Sequence, residues 1–162
     1  MKQISKNIWQ WLCQVARKLK RISPPEPLSV RNGIPPSKAE IGHWGESYAA
    51  YLLQTKGFHI AERNFKENGH EIDIIATKGD LVVFCEVKTR SLTPEMVEKF
   101  GRPALAVGHE QKKNIRMAAA GYMAFYARGK KPRFDVIEIY LTEGQPLFEI
   151  WKACHIEDAF RT

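Results

Sequence analysis

Cysteine is scarce and unpatterned in this chain. Its three copies, Cys13, Cys85 and Cys154, are odd in number, lie far apart and form no C-x-x-C pair. That excludes a disulfide framework and a thiolate zinc site, and it makes a reducing cytoplasm the expected setting. The five histidines, His43, His59, His70, His109 and His155, recur at no ligand spacing, so no metal site is read from them. Long apolar runs are missing too. The N-terminal apolar stretch is interrupted by Gln10, Cys13 and Gln14 and is followed by no small-residue cleavage site, which argues against a transmembrane span, a signal peptide and export. What remains is a chain of 162 residues, 44% hydrophobic and 27% charged, enough for one globular domain with a core that needs no staples.

Acids are nearly absent from the first 39 residues, which carry eight Lys and Arg against Glu26 alone. The other seventeen basic residues face seventeen acids, so the net charge of +7 belongs to the N-terminus and says little about the body. Within residues 1–22, Ile4, Ile8, Leu12, Val15 and Leu19 recur at helical spacing among Lys2, Lys6, Arg17, Lys18, Lys20 and Arg21. This is the pattern of a basic amphipathic helix suited to a membrane surface, a nucleic acid or a protein partner. Residues 23–38 hold Pro24, Pro25, Pro27, Pro35, Pro36 and Gly33, which predict an extended linker rather than a packed element. A compact domain is expected over 39–162. Inside it, periodicity predicts a helix over 38–56, strands over 58–67, 70–77 and 81–89, a second helix over 108–127, and strands over 133–141 and 146–152. That αβββαβ order with one further strand argues an α/β fold, a mixed central sheet flanked by helices. One local basic cluster remains: Lys112, Lys113, Arg116, Arg128, Lys130, Lys131 and Arg133 lie in a stretch with no acid, as phosphate contacts would.

The charged residues placed inside apolar strands carry the chemistry. Asp73 stands in Glu71-Ile72-Asp73-Ile74-Ile75, and Glu86 and Lys88 stand in Val82-Val83-Phe84-Cys85-Glu86-Val87-Lys88; buried charges are rare unless paired or metal-bound. If Gly79-Asp80 forms a two-residue hairpin turn, opposed residues sum to 159 and Asp73 faces Glu86 while Glu71 faces Lys88. Glu71, Asp73, Glu86 and Lys88 then share one face, with Ile72, Ile74, Cys85 and Val87 on the other. Two convergent carboxylates suit a hard cation such as Mg²⁺, which keeps positions open for water and a phosphate oxygen. A lysine two residues along the strand can orient that water or stabilise charge developing on phosphorus.

Gly42-His43-Trp44-Gly45-Glu46-Ser47-Tyr48-Ala49, Glu71-Ile72-Asp73-Ile74-Ile75 and Phe84-Cys85-Glu86-Val87-Lys88-Thr89-Arg90, in that order, resemble the YraN-like family of predicted nucleases. Arg63-Asn64-Phe65, Phe100-Gly101-Arg102-Pro103 with Ala106-Val107, Ala118-Ala119, Arg133-Phe134-Asp135-Val136 and Ala159-Phe160 extend the match over residues 41–160. That family resembles a branch of the PD-(D/E)XK nucleases close to archaeal Holliday-junction resolvases. The resemblance implies a restriction-endonuclease-like core, Mg²⁺ (with Mn²⁺ as substitute) as cofactor, and DNA, branched or containing single strands, as partner; a homodimer is also counted among the expected assemblies. It further implies Asp73 and Glu86 as metal ligands, Lys88 as the catalytic lysine and Glu46 as a helix-borne acid completing the site. Glu71 is expected to pair with Lys88 or to add a ligand. Gln111, with Lys112, stands where the family carries a Lys-Gln pair, and His70 replaces the usual glycine before the Glu-x-Asp element.

Two function classes follow. In the first, a metal-dependent endonuclease cleaves DNA while the basic cluster grips phosphates. In the second, the same fold is a non-catalytic nucleic-acid or protein-binding module.

Overall fold

The computed structural model describes residues 22–92, 107–142 and 147–161. The helix expected over 1–22 therefore falls, except for Ile22, outside the described residues, as do Phe100-Gly101-Arg102-Pro103 and Ala106. The elements run α1 (Lys38–Thr55), β1 (His59–Glu67), β2 (His70–Lys78), β3 (Leu81–Leu92), α2 (His109–Tyr126), β4 (Lys131–Thr142) and β5 (Glu149–Phe160). The five strands form one sheet in the order β1-β2-β3-β4-β5, with β3 and β4 parallel and the other pairs antiparallel. α2 is the crossover that parallel pairing demands. The mixed α/β architecture expected from the sequence, compatible with a restriction-endonuclease-like core, is what forms.

Local chemistry explains the punctuation. Ser37 caps α1 by accepting from the Glu40 amide, and the Glu40 carboxylate accepts from the Ser37 amide in return, a capping box. Asn68 and Gly69 both adopt positive φ between β1 and β2, the two-residue turn that matches strand twist. Gly79 (φ +58°) and Asp80 turn β2 into β3, and the ladder from Lys78↔Leu81 to Ile74↔Cys85 keeps the expected register. β5 continues eight residues beyond the expected end at 152, to Phe160. Its charged residues and a register shift opposite Phe134–Val136 disguise the alternation on which sequence reading relies.

Each sheet face buries one helix. α1 sets Ala49, Ala50 and Leu53 against Ile74, Ala76, Val83, Cys85, Ile137 and Ile139. α2 sets Ile115, Ala118, Ala119 and Tyr122 against Ile75, Phe84, Phe134, Val136 and Phe160. The proline-rich segment is extended, as its composition dictates, but it packs: Ile22, Leu28 and Val30 lie on the α1-side core. Its backbone is tied down as well. Glu26 accepts from the Trp44 indole at 2.7 Å, and Leu28 accepts from the Phe148 amide at 2.9 Å.

Asp135 is fully buried on β4. Arg133 holds it with two bonds of 2.8 and 2.7 Å, His155 reaches it at 2.7 Å and the Asp158 amide donates at 3.1 Å. Burial pushes its carboxyl up, but the bonds from His155 and Arg133 outweigh this and hold it below the ordinary carboxylate value. The resulting stability is present at neutral pH and fades as pH falls through the acid range. Asp135→Ala should lower unfolding free energy at pH 7 by about 3–5 kcal/mol, because Arg133 would keep only the exposed Glu157 and His155 would lose its buried acceptor. Urea denaturation measures this; a loss under about 1 kcal/mol would show that the buried network is dispensable.

Candidate active site where the second and third strands part

Pairing between β2 and β3 stops at Ile74↔Cys85, while β1 follows β2 to its start and β3 follows β4 to its end. The sheet therefore splits at Asp73. Two irregularities mark the spot. Asn64, opposite Asp73 in the β1 register, takes φ +51°, and strict alternation fails in β2, since Ile72 joins the α2-side core and Ile74 the α1-side core. This corrects the expectation that Ile72 and Ile74 share a face. In the opening, the Asp73 carboxylate accepts the Val87 amide at 2.7 Å, doing for that N–H what a strand carbonyl does elsewhere.

Glu86 and Lys88 lie on the α2 side of β3, with Cys85 and Val87 on the α1 side, as alternation requires. Gln111 continues the buried stripe of α2 (Ile115, Ala118, Ala119, Tyr122) one turn toward the N-terminus, which explains why it reaches the strand. It donates to Glu86 Oε1 in a short contact and accepts from Lys88 Nζ at 3.1 Å. Lys88 Nζ is also 2.7 Å from Glu86 Oε1. Glu86 is only 4% exposed, and its Oε1 holds both an ammonium and an amide.

Glu46 approaches from α1. Gly45 is what lets the helix come so near: a Cβ there would meet Thr89 Oγ1 at 1.7 Å and Thr89 Cβ at 2.9 Å. The buried Glu46 Oε2 has no hydrogen-bond partner among the described residues, with His43 Nδ1 at 3.8 Å. Burial, then the Glu86 charge, then Glu46, push the Asp73 carboxyl up to about 7, against the opposing pull of the Val87 amide and Lys88. Asp73, Glu86, Lys88 and Glu46 are therefore one electrostatic group, drawn from two strands and a helix. Among the described residues, no three His, Cys, Asp or Glu side chains already converge as a metal cage.

Other expected site residues go elsewhere. Glu71 pairs with Lys66 on β1 at 3.4 Å, not with Lys88, because β3 has left β2 by that level. Arg133 is engaged by Asp135 and Glu157. Lys112 and Arg116 stack over the Phe160 ring at 5.7 and 5.5 Å, and Arg116 donates to the Arg161 carbonyl. Lys113 is exposed and, two residues on from Gln111, is turned to the side of α2 away from the sheet. Arg128, Lys130 and Lys131 are exposed past the far end of α2, about 25 Å from Gln111 at 1.5 Å per helical residue. The basic cluster is thus two groups, only one of them near the split.

Sequence reading overlooked Glu138. It is 1% exposed on β4, directly opposite Lys88 in the parallel ladder, and Tyr140 donates to its Oε2 at 3.2 Å. The signal was available: Glu138 stands between Ile137 and Ile139, the same charge-in-apolar-strand pattern that flagged Glu86.

The model of an uncharacterised family, UPF0102, matches residues 45–139. The chain belongs to this family. It is 39% identical over 125 residues to a UPF0102 protein of Caldanaerobacter subterraneus subsp. tengcongensis, covering 76% of this chain and 97% of that one. It is 38% identical over 122 residues to one of Syntrophomonas wolfei, covering 75% and 97%, and 36% identical over 127 residues to one of Chlorobium chlorochromatii, covering 78% and 95%. The family match runs from Gly45 to Ile139 and so includes Glu46, Asp73, Glu86, Lys88, Gln111 and Glu138. Among the described residues, no helix is long and apolar enough to cross a membrane.

Two outcomes test this geometry. A carboxyl whose folded-state pKa is raised contributes stability below its ordinary value of 3.8, and that stability is lost as pH rises through about 7. In buffer with EDTA, Asp73→Asn should therefore gain on wild type between pH 5 and pH 8, by at most about 3 kcal/mol. Thermal melts at both pH values measure the gain; an equal difference at both would show that Asp73 does not titrate there. Gly45→Ala should cost about 1–3 kcal/mol in chemical denaturation, since α1 must retreat from Thr89. An unchanged midpoint would mean that the close approach is not needed.

Proposed function

We propose that this protein is a metal-dependent nuclease that hydrolyses DNA phosphodiester bonds. The observation that carries the reading is the convergence of Asp73, Glu86 and Lys88, with Glu46 beside them, where β2 and β3 part. The donor set fits a hard divalent cation. It consists of carboxylates, Glu46 Oε2 is buried without a partner among the described residues, and burial together with the Glu86 and Glu46 charges drives Asp73 up to about 7, a tension that a cation relieves. Asp73 and Glu86 would hold Mg²⁺ or Mn²⁺, with Glu46 as the third carboxylate. A bound Mg²⁺ supplies charge neutralisation at the scissile phosphate and a lower pKa for the attacking water.

The chain's own residues do the rest. Lys88 offers its ammonium to the attacking water or to the charge developing on the phosphate oxygens. Gln111, which touches both Glu86 and Lys88, orients the pair. Lys112, Lys113 and Arg116, at the Gln111 end of α2, are the candidate phosphate contacts, and a duplex that also met Arg128, Lys130 and Lys131 would have to run along α2. Branched DNA is the preferred candidate substrate because it offers phosphates in more than one direction.

One observation favours the second reading, a binding module on the same fold: Glu86 Oε1 is already taken by Lys88 and Gln111. The test is incubation of full-length protein with linear duplex, single-stranded, flapped and four-way DNA in Mg²⁺ or Mn²⁺. Wild type should cleave at least one of these, and Lys88→Ala should lower the rate about 10²–10³-fold while DNA binding persists. DNA binding without cleavage under either metal, unaffected by Lys88→Ala, would replace the nuclease by the module.

A further inference from the structure

Lys88 has two carboxylates at neighbouring positions of the sheet, and among the described residues it is paired with one of them. On its own strand it meets Glu86 Oε1 at 2.7 Å. On β4, Glu138 is its direct partner in the parallel register. Both strands turn these residues to the α2 side, the face of Phe84 on β3 and of Phe134 and Val136 on β4, so the ammonium and the Glu138 carboxylate project from neighbouring positions of one surface. Glu138 is 1% exposed. Tyr140 donates to Oε2 at 3.2 Å, and Oε1 has no hydrogen-bond partner among the described residues. A buried acceptor without a donor costs about 1–3 kcal/mol, more when charged. Native proteins rarely keep one without a role.

The role follows from the needs of Glu86. With Lys88 on its Oε1, Glu86 is neutralised and cannot offer that oxygen to a cation. When Glu86 gives Oε1 to a divalent cation, Lys88 must leave that oxygen, and its ammonium, on a side chain only 26% exposed, gains from another acceptor nearby. We propose that Glu138 is that acceptor, a positioning residue whose open oxygen receives Lys88 and holds it at the site once Glu86 is engaged. The inference rests on the metal-site reading above. Gln111, already bonded to Lys88 at 3.1 Å, steadies the ammonium during the exchange.

A double-mutant cycle on divalent-cation affinity tests it without reference to cleavage. Mg²⁺ and Mn²⁺ titrations by calorimetry, with no DNA present, are made on wild type, Glu138→Gln, Lys88→Met and the double variant. Glu138→Gln should weaken cation binding about tenfold when Lys88 is present, and less than about threefold in the Lys88→Met background, since the lysine then has no need of a new partner. Equal losses in both backgrounds would mean that Glu138 acts on the cation by charge alone, and would overturn the proposal while leaving the metal site standing. No loss in either would overturn it too. Wild type that binds neither cation would sink the metal reading and this proposal together. Should Glu138→Gln fail to fold, Glu138→Asp, which keeps the charge but withdraws it by one methylene, enters the same cycle with the same expectation. Tyr140→Phe, which leaves Oε1 untouched, should change affinity less than Glu138→Gln; a larger effect would assign the open role to the tyrosine.

Discussion

The hydrogen bond from the Val87 amide to the Asp73 carboxylate decides the shape of this molecule's working end. In a continuous hairpin that amide would face a backbone carbonyl, and β2 and β3 would stay zipped with Glu71 opposite Lys88. Here a side chain takes the amide, the strands part after Ile74 and Cys85, and Asp73 is left in the opening among Glu86, Lys88 and Glu46. The helices exploit the opening from both sides. α1 comes close because Gly45 has no Cβ to strike Thr89. α2 extends its buried stripe to Gln111, which bonds the Glu86–Lys88 pair.

Two carboxylates of the same sheet, Asp135 on β4 and Asp73 on β2, illustrate opposite solutions to one problem. Asp135 is satisfied completely, by Arg133, His155 and the Asp158 amide, and its carboxyl is held below the ordinary value. Asp73 is given a single amide, and burial together with two like charges holds its carboxyl up at about 7. The first arrangement is a closed structural network. The second stores electrostatic tension that an added positive charge would release, and perturbed carboxyls of that kind concentrate at functional sites. Glu138 and Glu46, each with a buried oxygen lacking a donor among the described residues, extend the same open character to both sides of the split.

The basic residues divide along the same lines. Their cluster in sequence suggested one phosphate-binding surface, but helix geometry separates Lys113 from Arg128, Lys130 and Lys131 by most of the length of α2. Arg133 is drawn into the Asp135 network. Lys112 and Arg116 spread over Phe160, where their cationic heads meet an aromatic face and help hold the end of β5. Proximity in sequence placed them together; the pitch of a helix and the reach of individual side chains divided them.

Sequence alone determined the element order, the two-residue turn at Gly79-Asp80 and the register that runs from Lys78↔Leu81 to Ile74↔Cys85, because turn chemistry and period-two alternation are local. For the same reason it separated Glu86 and Lys88 from Cys85 and Val87, and it singled out Asp73, since a charge inside an apolar strand needs no tertiary knowledge to be noticed. The resemblance of Gly45-Glu46 to a family motif, rather than any periodicity, pointed to the helix-borne acid. Only the tertiary structure decided where the hairpin stops pairing, since that depends on an aspartate side chain competing for a backbone amide fourteen residues away. It alone sent Glu71 to Lys66, bound Gln111 to the Glu86–Lys88 pair, docked the proline segment on the core and set Glu138 beside Lys88. These are contacts between strands and helices far apart in the chain, and no local pattern encodes which of several compatible partners a side chain will meet.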